Sequence, residues 1–181
     1  MPMPMEVANP IRFDLDIVHK SYDAEYAHRF WQILVQAEKV LRAFGTGFLG
    51  KVSPVHFFWG SFDLAVTRFS GRPAPPRPGA DLIQREAYSH EVISAGFWPG
   101  NGGYGAAAFY CYAAPVPEGL AEKKVRPTTA SWDKTLGEFI FNYDAVLEEA
   151  SPEAAVREFV ESAYVAAADA AKWDRAALER R

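Results

Sequence analysis

Four residues carry side chains suited to acid–base or metal chemistry, and they lie in two short, aromatic-rich segments. They are His56, Asp63, His90 and Glu91. Imidazole titrates near neutral pH, and both imidazole and carboxylate can exchange a proton with a substrate. We therefore predict that these four residues form an acid–base site. The aromatic and basic side chains predicted to line a small-molecule pocket around them are Trp59, Arg68, Tyr88 and Trp98.

Two other interpretations of these residues stay open. His56 and His90 are also consistent with hydrogen-bonded polar groups that orient the sheet, because isolated residues are weak motifs. They are consistent with metal ligands too, since imidazole and carboxylate suit zinc, iron or manganese, although no H-E-x-x-H spacing is present. His56 and Asp63 are seven residues apart, so on one regular strand they face opposite ways unless Gly60 forms a bulge. The adjacent His90 and Glu91 face opposite ways as well.

Two arginines and a glycine-rich run suggest further ligand contacts. Arg68 and Arg72 can hold a carboxylate or phosphate through paired hydrogen bonds, but they are equally typical of an ion-paired strand edge. The run from Phe97 to Gly105 (FWPGNGGYG) lacks the G-x-x-x-x-G-K-[ST] phosphate motif. It predicts either a mobile lid, on which Trp98 closes over a ligand, or a long hairpin turn.

The composition excludes several classes of protein. The 181-residue chain has 19 Lys and Arg against 23 Asp and Glu, a formal net charge of −4. It lacks the dense basic surface that binds nucleic-acid phosphates, so we expect no nucleic-acid partner. It has no apolar run of about 18 residues and no signal-peptide pattern, so we expect no membrane span and a cytoplasmic location. Cys111 is the only cysteine, which excludes an intrachain disulfide. No motif specifies a cofactor.

Hydrophobic spacing predicts a long helix near the N-terminus. Ser21 or Asp23 is placed to cap it, and Gly45 and Gly47 end it. Its apolar residues step alternately by three and four positions: Ala27, Phe30, Leu34, Ala37, Leu41, Phe44 and Phe48. This stripe is typical of a helix with one buried face. Residues 1–20 before it contain several prolines and predict an extended segment.

Four segments rich in aromatic and β-branched residues predict strands. They span residues 53–69, 87–95, 106–114 and 136–143. The first segment is either one bent strand or two strands, and large apolar groups on both sides indicate a central strand covered on each face. The four prolines between Gly71 and Gly79 predict a stiff loop, and residues 115–135 predict an irregular one.

A second helix is predicted to begin at Ser151. Serine caps helices, Pro152 suits the first helical position, and Glu153 complements the helix dipole. The order of helix, several strands and helix contains no βαβ alternation. The sequence therefore predicts one α+β domain over residues 1–181. Its antiparallel sheet of about four or more strands packs against a long N-terminal helix and a C-terminal helix.

Two long aromatic-rich strings resemble the signatures of a known family. The first runs from Lys51 to Arg72 (KVSPVHFFWGSFDLAVTRFSGR), and the second runs from Tyr88 to Gly100 (YSHEVISAGFWPG). The strings LGEF at residues 136–139 and WDR at residues 173–175 fit the tail of the same family. On these residues the chain is similar to an uncharacterised bacterial family, domain of unknown function five-nine-nine-six. The resemblance covers nearly the whole chain and implies a fold family but no activity.

The resemblance also implies that this chain is the C-terminal half of the usual family length. Surface normally covered by an N-terminal half would then be exposed, covered by a second copy, or docked to that half. Three hypotheses for the function follow. The first is a small-molecule-binding domain, with or without enzyme activity. The second is an interaction module that homodimerises or docks a partner through aromatic surface. The third is a metal-dependent enzyme that uses His56 and His90.

Overall fold

The computed structural model of the protein describes residues 9–100 and 104–180. In these residues, six antiparallel strands form one open sheet, which confirms the predicted α+β class. The strands are β1 (His56–Phe58), β2 (Asp63–Pro73), β3 (His90–Trp98), β4 (Ala108–Ala114), β5 (Ser131–Asp133) and β6 (Glu138–Asn142). The helices are α1 (Ala24–Thr46), α2 (Leu82–Ala87), α3 (Tyr143–Glu148), α4 (Pro152–Ala170) and α5 (Arg175–Leu178).

The strands lie in the order β1-β2-β3-β4-β6-β5, and every neighbouring pair is antiparallel. Residues that pair across antiparallel strands point to the same face, and successive residues point to opposite faces. Phe97 and Phe109 pair on one face of the sheet. On the other face, Gly96 pairs with Ala65 on one side and with Tyr110 on the other. The register therefore assigns each strand residue to a face.

One face of the sheet, here called the helix face, packs against α1 and α4. Aromatic contacts join the two helices: the ring centroids of Phe44 and Phe48 lie 5.9 and 6.1 Å from that of Tyr164. On the sheet side, Phe141 of β6 contacts Phe159 of α4 at 5.7 Å. These rings belong to the main hydrophobic core, which alternating apolar strand residues and the helix stripes build together.

The opposite face, here called the tyrosine face, carries Tyr110 and Tyr112 on β4. Their rings stack with centroids 6.1 Å apart. A smaller hydrophobic cluster lies on this face and, among the described residues, contains none from a helix. Its members are Ala65, Ala108, Tyr110 and Ile140, with Trp98, Tyr104 and Tyr112 packed beside them. The sheet thus separates a thick apolar core from a thinner layer of aromatic and polar groups.

Helix α1 begins as predicted and extends past Gly45, the first of its two predicted ends. Asp23, one of the two predicted caps, accepts hydrogen bonds from two backbone N–H groups of the first turn. The helix continues through Gly45 and ends at Gly47. Its predicted stripe is buried from Ala37 onward, whereas Ala27 is exposed. The first turns of α1 therefore present apolar side chains at the surface.

Residues 53–69 form a hairpin rather than one strand. A turn at residues 59–62 joins β1 to β2, and within it Phe62 has a φ of 62°. Strand β2 then continues to Pro73, so the first residues of the predicted proline loop at 71–79 belong to the sheet. Contrary to the expectation of a central strand covered on both sides, β2 packs against the main helices on one face only.

The other elements lie close to their predicted positions. Strand β3 begins at His90, later than predicted, because Tyr88 caps α2. The segment 115–135, predicted to be irregular, contains a 3₁₀ turn (Leu120–Glu122) and the short strand β5, which is too short to show periodicity. Of the predicted extended segment, residues 1–8 lie outside the described residues, and residues 9–20 form neither helix nor strand. Across the described ranges, no helix has the length and apolarity needed to cross a membrane.

Candidate functional site

Asp63 is the buried carboxylate of the tyrosine face. It is the first residue of β2, and only 7% of its surface is exposed. Its Oδ1 accepts a hydrogen bond from Ser61 Oγ, and its Oδ2 accepts one from Tyr110 Oη. Within residues 9–100 and 104–180, no Lys, Arg or His nitrogen lies within 4.0 Å of this carboxylate. Two hydroxyl groups, rather than a cation, therefore stabilise the buried charge.

Tyr110 reaches Asp63 across the intervening strand because β3 has a glycine at the crossing point. Gly96 pairs with Ala65 on one side and with Tyr110 on the other. A β-carbon at Gly96 would overlap the hydroxyl end of Tyr110 and the carbonyl oxygen of Leu64. The missing side chain is thus what allows the tyrosine ring to lie over β3 and place its hydroxyl on the carboxylate.

The surroundings of Tyr110 fix its protonation state. Burial, and then the charge of Asp63, raise the pKa of Tyr110 well above its ordinary value. Both effects disfavour the phenolate. Tyr110 is therefore a neutral hydrogen-bond donor at physiological pH, and it does not act as a general base.

Glu138 is a second carboxylate on the same face. Its neighbour Phe139 pairs with Cys111 on the helix face, so Glu138 points to the tyrosine face. Burial, followed by the charges of Asp133 and Asp63, raises the pKa of Glu138 to about 7. A carboxyl group with such a pKa can both donate and accept a proton at physiological pH. Glu138 is thus the group on this face best matched to acid–base chemistry.

Hydroxyl groups lie beside the two carboxylates. Tyr112 Oη is 3.2 Å from Tyr88 Oη, and Thr67 Oγ1 is 2.9 Å from Ser94 Oγ. Burial, and then the proximity of Tyr88, raise the pKa of Tyr112, so this phenol is also neutral. The tyrosine face therefore offers neutral hydroxyl donors and carboxylate acceptors in one layer.

His56 lies on the same face as Asp63. It pairs with Ala65 of β2, and Phe58 pairs with Asp63, so both side chains of β1 point to the tyrosine face. The turn at residues 59–62 puts His56 and Asp63 on separate antiparallel strands. The two side chains can therefore share a face, although they would face opposite ways on one regular strand. His56 and Phe58 are exposed and form an accessible border beside the buried carboxylate.

Trp98 and Tyr104 form another side of this border. Both pack against the cluster on the tyrosine face, and their ring centroids are 5.8 Å apart. Both are half-buried. The predicted lid from Phe97 to Gly105 lies partly outside the described residues, at positions 101–103. Its two described aromatic residues therefore lie on the same face of the sheet as Asp63.

The structure does not bring His56 and His90 together. His90 pairs with Pro73, whereas His56 pairs with Ala65, eight positions earlier on β2 (73 − 65 = 8). The strand rise puts these two pairs roughly 25 Å apart. The His90 ring instead lies 3.2 Å from Ser89 Oγ. In the described part of the chain, no group of three or more His, Cys, Asp or Glu side chains is placed to hold a metal ion.

Arg68 lies on the helix face, away from Asp63, where it cannot contact a ligand. It is 2% exposed, and its guanidinium carbon lies 3.4 Å from the ring centroid of Phe44 and 4.2 Å from that of Tyr164. It donates a hydrogen bond to the Phe44 carbonyl oxygen and another to Glu161 Oε1 at 3.3 Å. The structure thus places the predicted ligand contact Arg68 inside the core, because strand alternation directs its side chain to the helices.

Glu91 also points away from Asp63. It accepts hydrogen bonds from Arg72 Nη2 at 2.6 Å and from Trp173 Nε1 at 3.0 Å. Arg72 in turn donates to the carbonyl oxygens at the end of α4. Glu91, one of the predicted acid–base residues, thus connects β3 to the C-terminal segment and is not brought together with Asp63.

The two remaining predicted site residues, Tyr88 and Trp59, lie in different parts of the molecule. Tyr88 belongs to the tyrosine face through its contact with Tyr112, and Arg77 lies 4.0 Å above the Tyr88 ring. Trp59 is in the turn between β1 and β2, where it is exposed and its ring centroid is 5.7 Å from that of Phe13. Tyr88 therefore borders the layer of hydroxyl groups, and Trp59 lies at the edge of the sheet.

Sequence reasoning missed the partners that complete the site. Ser61, Tyr110, Tyr112 and Glu138 were not among the predicted site residues. The alternation of residues along β4 already placed Tyr110 and Tyr112 on the side opposite to Phe109 and Cys111, and along β6 it places Glu138 opposite to Phe139. This alternation is the sequence signal that could have identified Tyr110, Tyr112 and Glu138. The crossing over Gly96 depends on the register, which the sequence does not specify.

A cavity of about 680 Å³ lies on the other side of the sheet, between α1 and the corner where α3 meets α4. It lies between the sheet and the helices. None of the eight predicted site residues lines it. The predicted residues that do come together are instead on the tyrosine face.

The chain matches the model of a family of unknown function, DUF5996, over residues 1–180. It therefore belongs to that family, which is the one its two aromatic-rich strings resemble. Comparison with curated proteins and with solved structures gives no match.

Proposed function

We propose that the protein is a small-molecule-binding domain whose ligand site is the tyrosine face around Asp63. The observation that carries this proposal is the buried Asp63 carboxylate, held by Ser61 and Tyr110 without a cation. Burying an ionised carboxylate is costly unless it is paired. An accessible aromatic border beside such a group is typical of ligand sites, where a few polar groups orient a ligand against apolar walls.

The electrostatics of the face favour a ligand that carries hydrogen-bond donors. Asp63 and Glu138 present carboxylate oxygens, and within the described ranges neither has a Lys, Arg or His nitrogen within 4.0 Å. The exposed His56 and the rings of Phe58 and Trp98 border the carboxylate. Aromatic faces and carboxylates together attract an ammonium group. The preferred ligand is therefore a small aromatic or aliphatic amine or alcohol.

Glu138 adds a proton-transfer group to this site. With a pKa of about 7, its carboxyl group is partly protonated under physiological conditions. The phenols of Tyr110 and Tyr112 stay neutral and supply fixed donors. The register places Glu138 beside Tyr112 of β4, so the two tyrosine side chains lie on the strand between Glu138 and β3.

Three fragments that share one ring and differ in the polar group test the proposal: benzylamine, benzyl alcohol and benzoate. Their affinities are measured by NMR from the shifts of the Asp63 and Gly96 backbone amides. Benzylamine and benzyl alcohol are expected to bind, and benzoate to bind at least about tenfold more weakly, because Asp63 repels it. Asp63→Asn should weaken benzylamine binding by about tenfold or more, through loss of a charge-assisted hydrogen bond.

The matched control is Asp144→Asn, which removes an exposed carboxylate from α3. This variant should leave all three affinities unchanged. Equal affinities for the three fragments, or a benzylamine affinity that is the same in Asp63→Asn and the unaltered protein, would contradict the proposal.

A second function, interaction through aromatic surface, is favoured by one observation. Apolar side chains at the N-terminal end of α1 and in the β1–β2 hairpin are exposed, among them Tyr26, Trp31, Phe57, Trp59 and Phe62. Phe30 of α1 joins the two segments through its ring contacts with Phe57 and Phe62. Contiguous patches of this kind mark interaction surfaces. We propose that this surface binds a second copy of the chain. Light scattering after gel filtration should then show a dimer that Trp31→Lys dissociates, whereas a monomer at all concentrations would contradict it.

A further inference from the structure

The cavity on the helix face has the architecture of a second, separate ligand site. Its floor is closed by buried apolar side chains from three elements: Ala37 and Val40 of α1, Phe109 of β4 and Val156 of α4. Its volume of about 680 Å³ falls in the range of small-molecule sites. The space opens to solvent at its mouth, where Gln32, Leu147 and Glu153 are exposed, so a ligand can enter it without a conformational change.

The sequence of α1 keeps this space open. Ile33, Ala37 and Val40 follow one another at helical spacing and line the cavity from one side. The middle position is occupied by alanine, the smallest of the apolar side chains. A larger residue at position 37 would fill the centre of the cavity.

The rim of the cavity differs from its floor. Arg29, Gln32 and Gln36 lie on α1 at spacings of three and four, so they form one row of N–H donors along that side. Glu153 lies at the rim on the opposite helix, α4. A carboxylate is attracted to the α1 side and repelled from the α4 side. Glu153 is paired with Arg157 at 3.4 Å, so the free donors of the rim, those of Gln32 and Gln36 beside Arg29, favour a carboxylate on the α1 side.

Arg29 is available for such a contact. Its partner is Glu25, one turn earlier on α1, at 2.5 Å, and both side chains are mainly exposed. Exposed pairs at this spacing contribute little to stability, so exchanging Glu25 for a ligand carboxylate costs little. The ligand can thus bury its apolar body against the floor and keep its carboxylate at the row of donors.

We infer that this cavity binds a carboxylate-headed amphiphile, such as a medium-chain fatty acid, with its carboxylate at Arg29. This site is independent of the tyrosine face, because none of its lining residues belongs to that face.

Calorimetric titration with decanoate, 1-decanol and decylamine tests the inference on the full chain, with the two ionic amphiphiles below their micelle-forming concentrations and 1-decanol below its solubility limit. Decanoate should bind with one site per chain, and decylamine should bind at least about tenfold more weakly. Arg29→Gln should weaken decanoate binding about tenfold while leaving 1-decanol within about twofold. The matched control is Arg42→Gln, because Arg42 also lies on α1 and also pairs with a glutamate one turn earlier, Glu38. This variant should leave the affinities for decanoate and for 1-decanol unchanged.

Ala37→Phe fills the cavity and should abolish the binding of decanoate and of 1-decanol. Equal affinities for the three amphiphiles, or an unchanged decanoate affinity in Arg29→Gln, would overturn the assignment of the carboxylate head group. Undiminished binding to a folded Ala37→Phe protein would overturn the cavity as the site, and Arg29→Gln remains decisive if Ala37→Phe does not fold.

Discussion

Strand β2 carries one buried charge on each face of the sheet, and the two charges are stabilised in opposite ways. Arg68 on the helix face is enclosed by the rings of Phe44 and Tyr164 and by the Phe44 carbonyl. Asp63 on the tyrosine face is held by two hydroxyl groups. The first charge is surrounded by the main core, and the second has an accessible border beside it.

The comparison shows how burial alone fails to identify a functional residue. Both side chains are less than a tenth exposed. What differs is the surroundings: Arg68 contacts two helices that would have to separate before a ligand could reach it. Asp63 lies next to exposed and half-buried rings on a face without a main helix. The exposure of the neighbouring side chains, rather than burial of the charged group itself, therefore distinguishes Asp63 as a candidate ligand contact from Arg68 as a structural residue.

The largest effect is expected from removing the structural charge. Arg68→Ala should lower the free energy of unfolding by about 3–5 kcal/mol, because it opens a cavity and leaves the rings and the Phe44 carbonyl without their partner. Asp63→Asn keeps the shape of the side chain and should cost about 1–2 kcal/mol. Urea unfolding of both variants measures the difference. If Asp63→Asn lowers the free energy of unfolding more than Arg68→Ala does, Asp63 rather than Arg68 is the structural charge, and the comparison between the two faces is wrong.

The second-largest loss of stability is expected at Gly96, where the side chain of Tyr110 crosses β3. Gly96→Ala should lower the free energy of unfolding by about 3 kcal/mol, because the new methyl group overlaps Tyr110 and the Leu64 carbonyl. Gly45→Ala is the matched control on the helix face. Its β-carbon would lie 3.5 Å from Val66, an ordinary contact, so this variant should be neutral or stabilising. Thermal unfolding compares the two, and equal melting temperatures would disprove the close approach at Gly96.

Glu138 predicts a smaller, pH-dependent effect. Its pKa of about 7 in the folded protein lies above the ordinary 4.5, so the folded chain keeps a proton that the unfolded chain has lost. The free energy of unfolding should therefore fall as the pH rises from about 4.5 to about 7, by on the order of 2 kcal/mol for this group.

Unfolding measured across that pH range in Glu138→Gln checks this effect. The variant cannot titrate at position 138, so its stability should fall less over the same interval. Glu118→Gln, which removes an exposed carboxylate, should keep the pH dependence of the unaltered protein. Parallel curves for Glu138→Gln and the unaltered protein would mean that this carboxyl group has an ordinary pKa.

The fold was predictable to a large extent because local signals agreed with it. The stripe from Ala37 to Phe48 and the Ser151-Pro152 start defined the two main helices, and alternation separated Tyr110 from Cys111 on β4. The hairpin at residues 59–62 was only one of two alternatives, since a glycine is consistent with a bulge or a turn. Strand β5 has three residues and shows no period.

The candidate site was predictable only in part. Asp63, His56 and Trp98 were singled out by residue type, and the structure places them at one end of the tyrosine face. Arg68 and Glu91 were chosen for the same reason but point to the helix face. Arg68 lies five residues after Asp63 on the same strand, so alternation already directs the two side chains to opposite faces. The Asp63–Tyr110 contact depends on pairing across three strands, which nearby sequence does not encode.

A map of backbone amide shifts, recorded when the protein is saturated with benzylamine, shows directly which face of the sheet binds the ligand. The largest shifts are expected on the tyrosine-face strands around Asp63, Gly96 and Tyr110. Amides along the cavity on the helix face, such as those of Val40 and Val156, are expected to stay unchanged. Shifts confined to the cavity residues, with none around Asp63, would contradict the central claim that the tyrosine face binds the ligand.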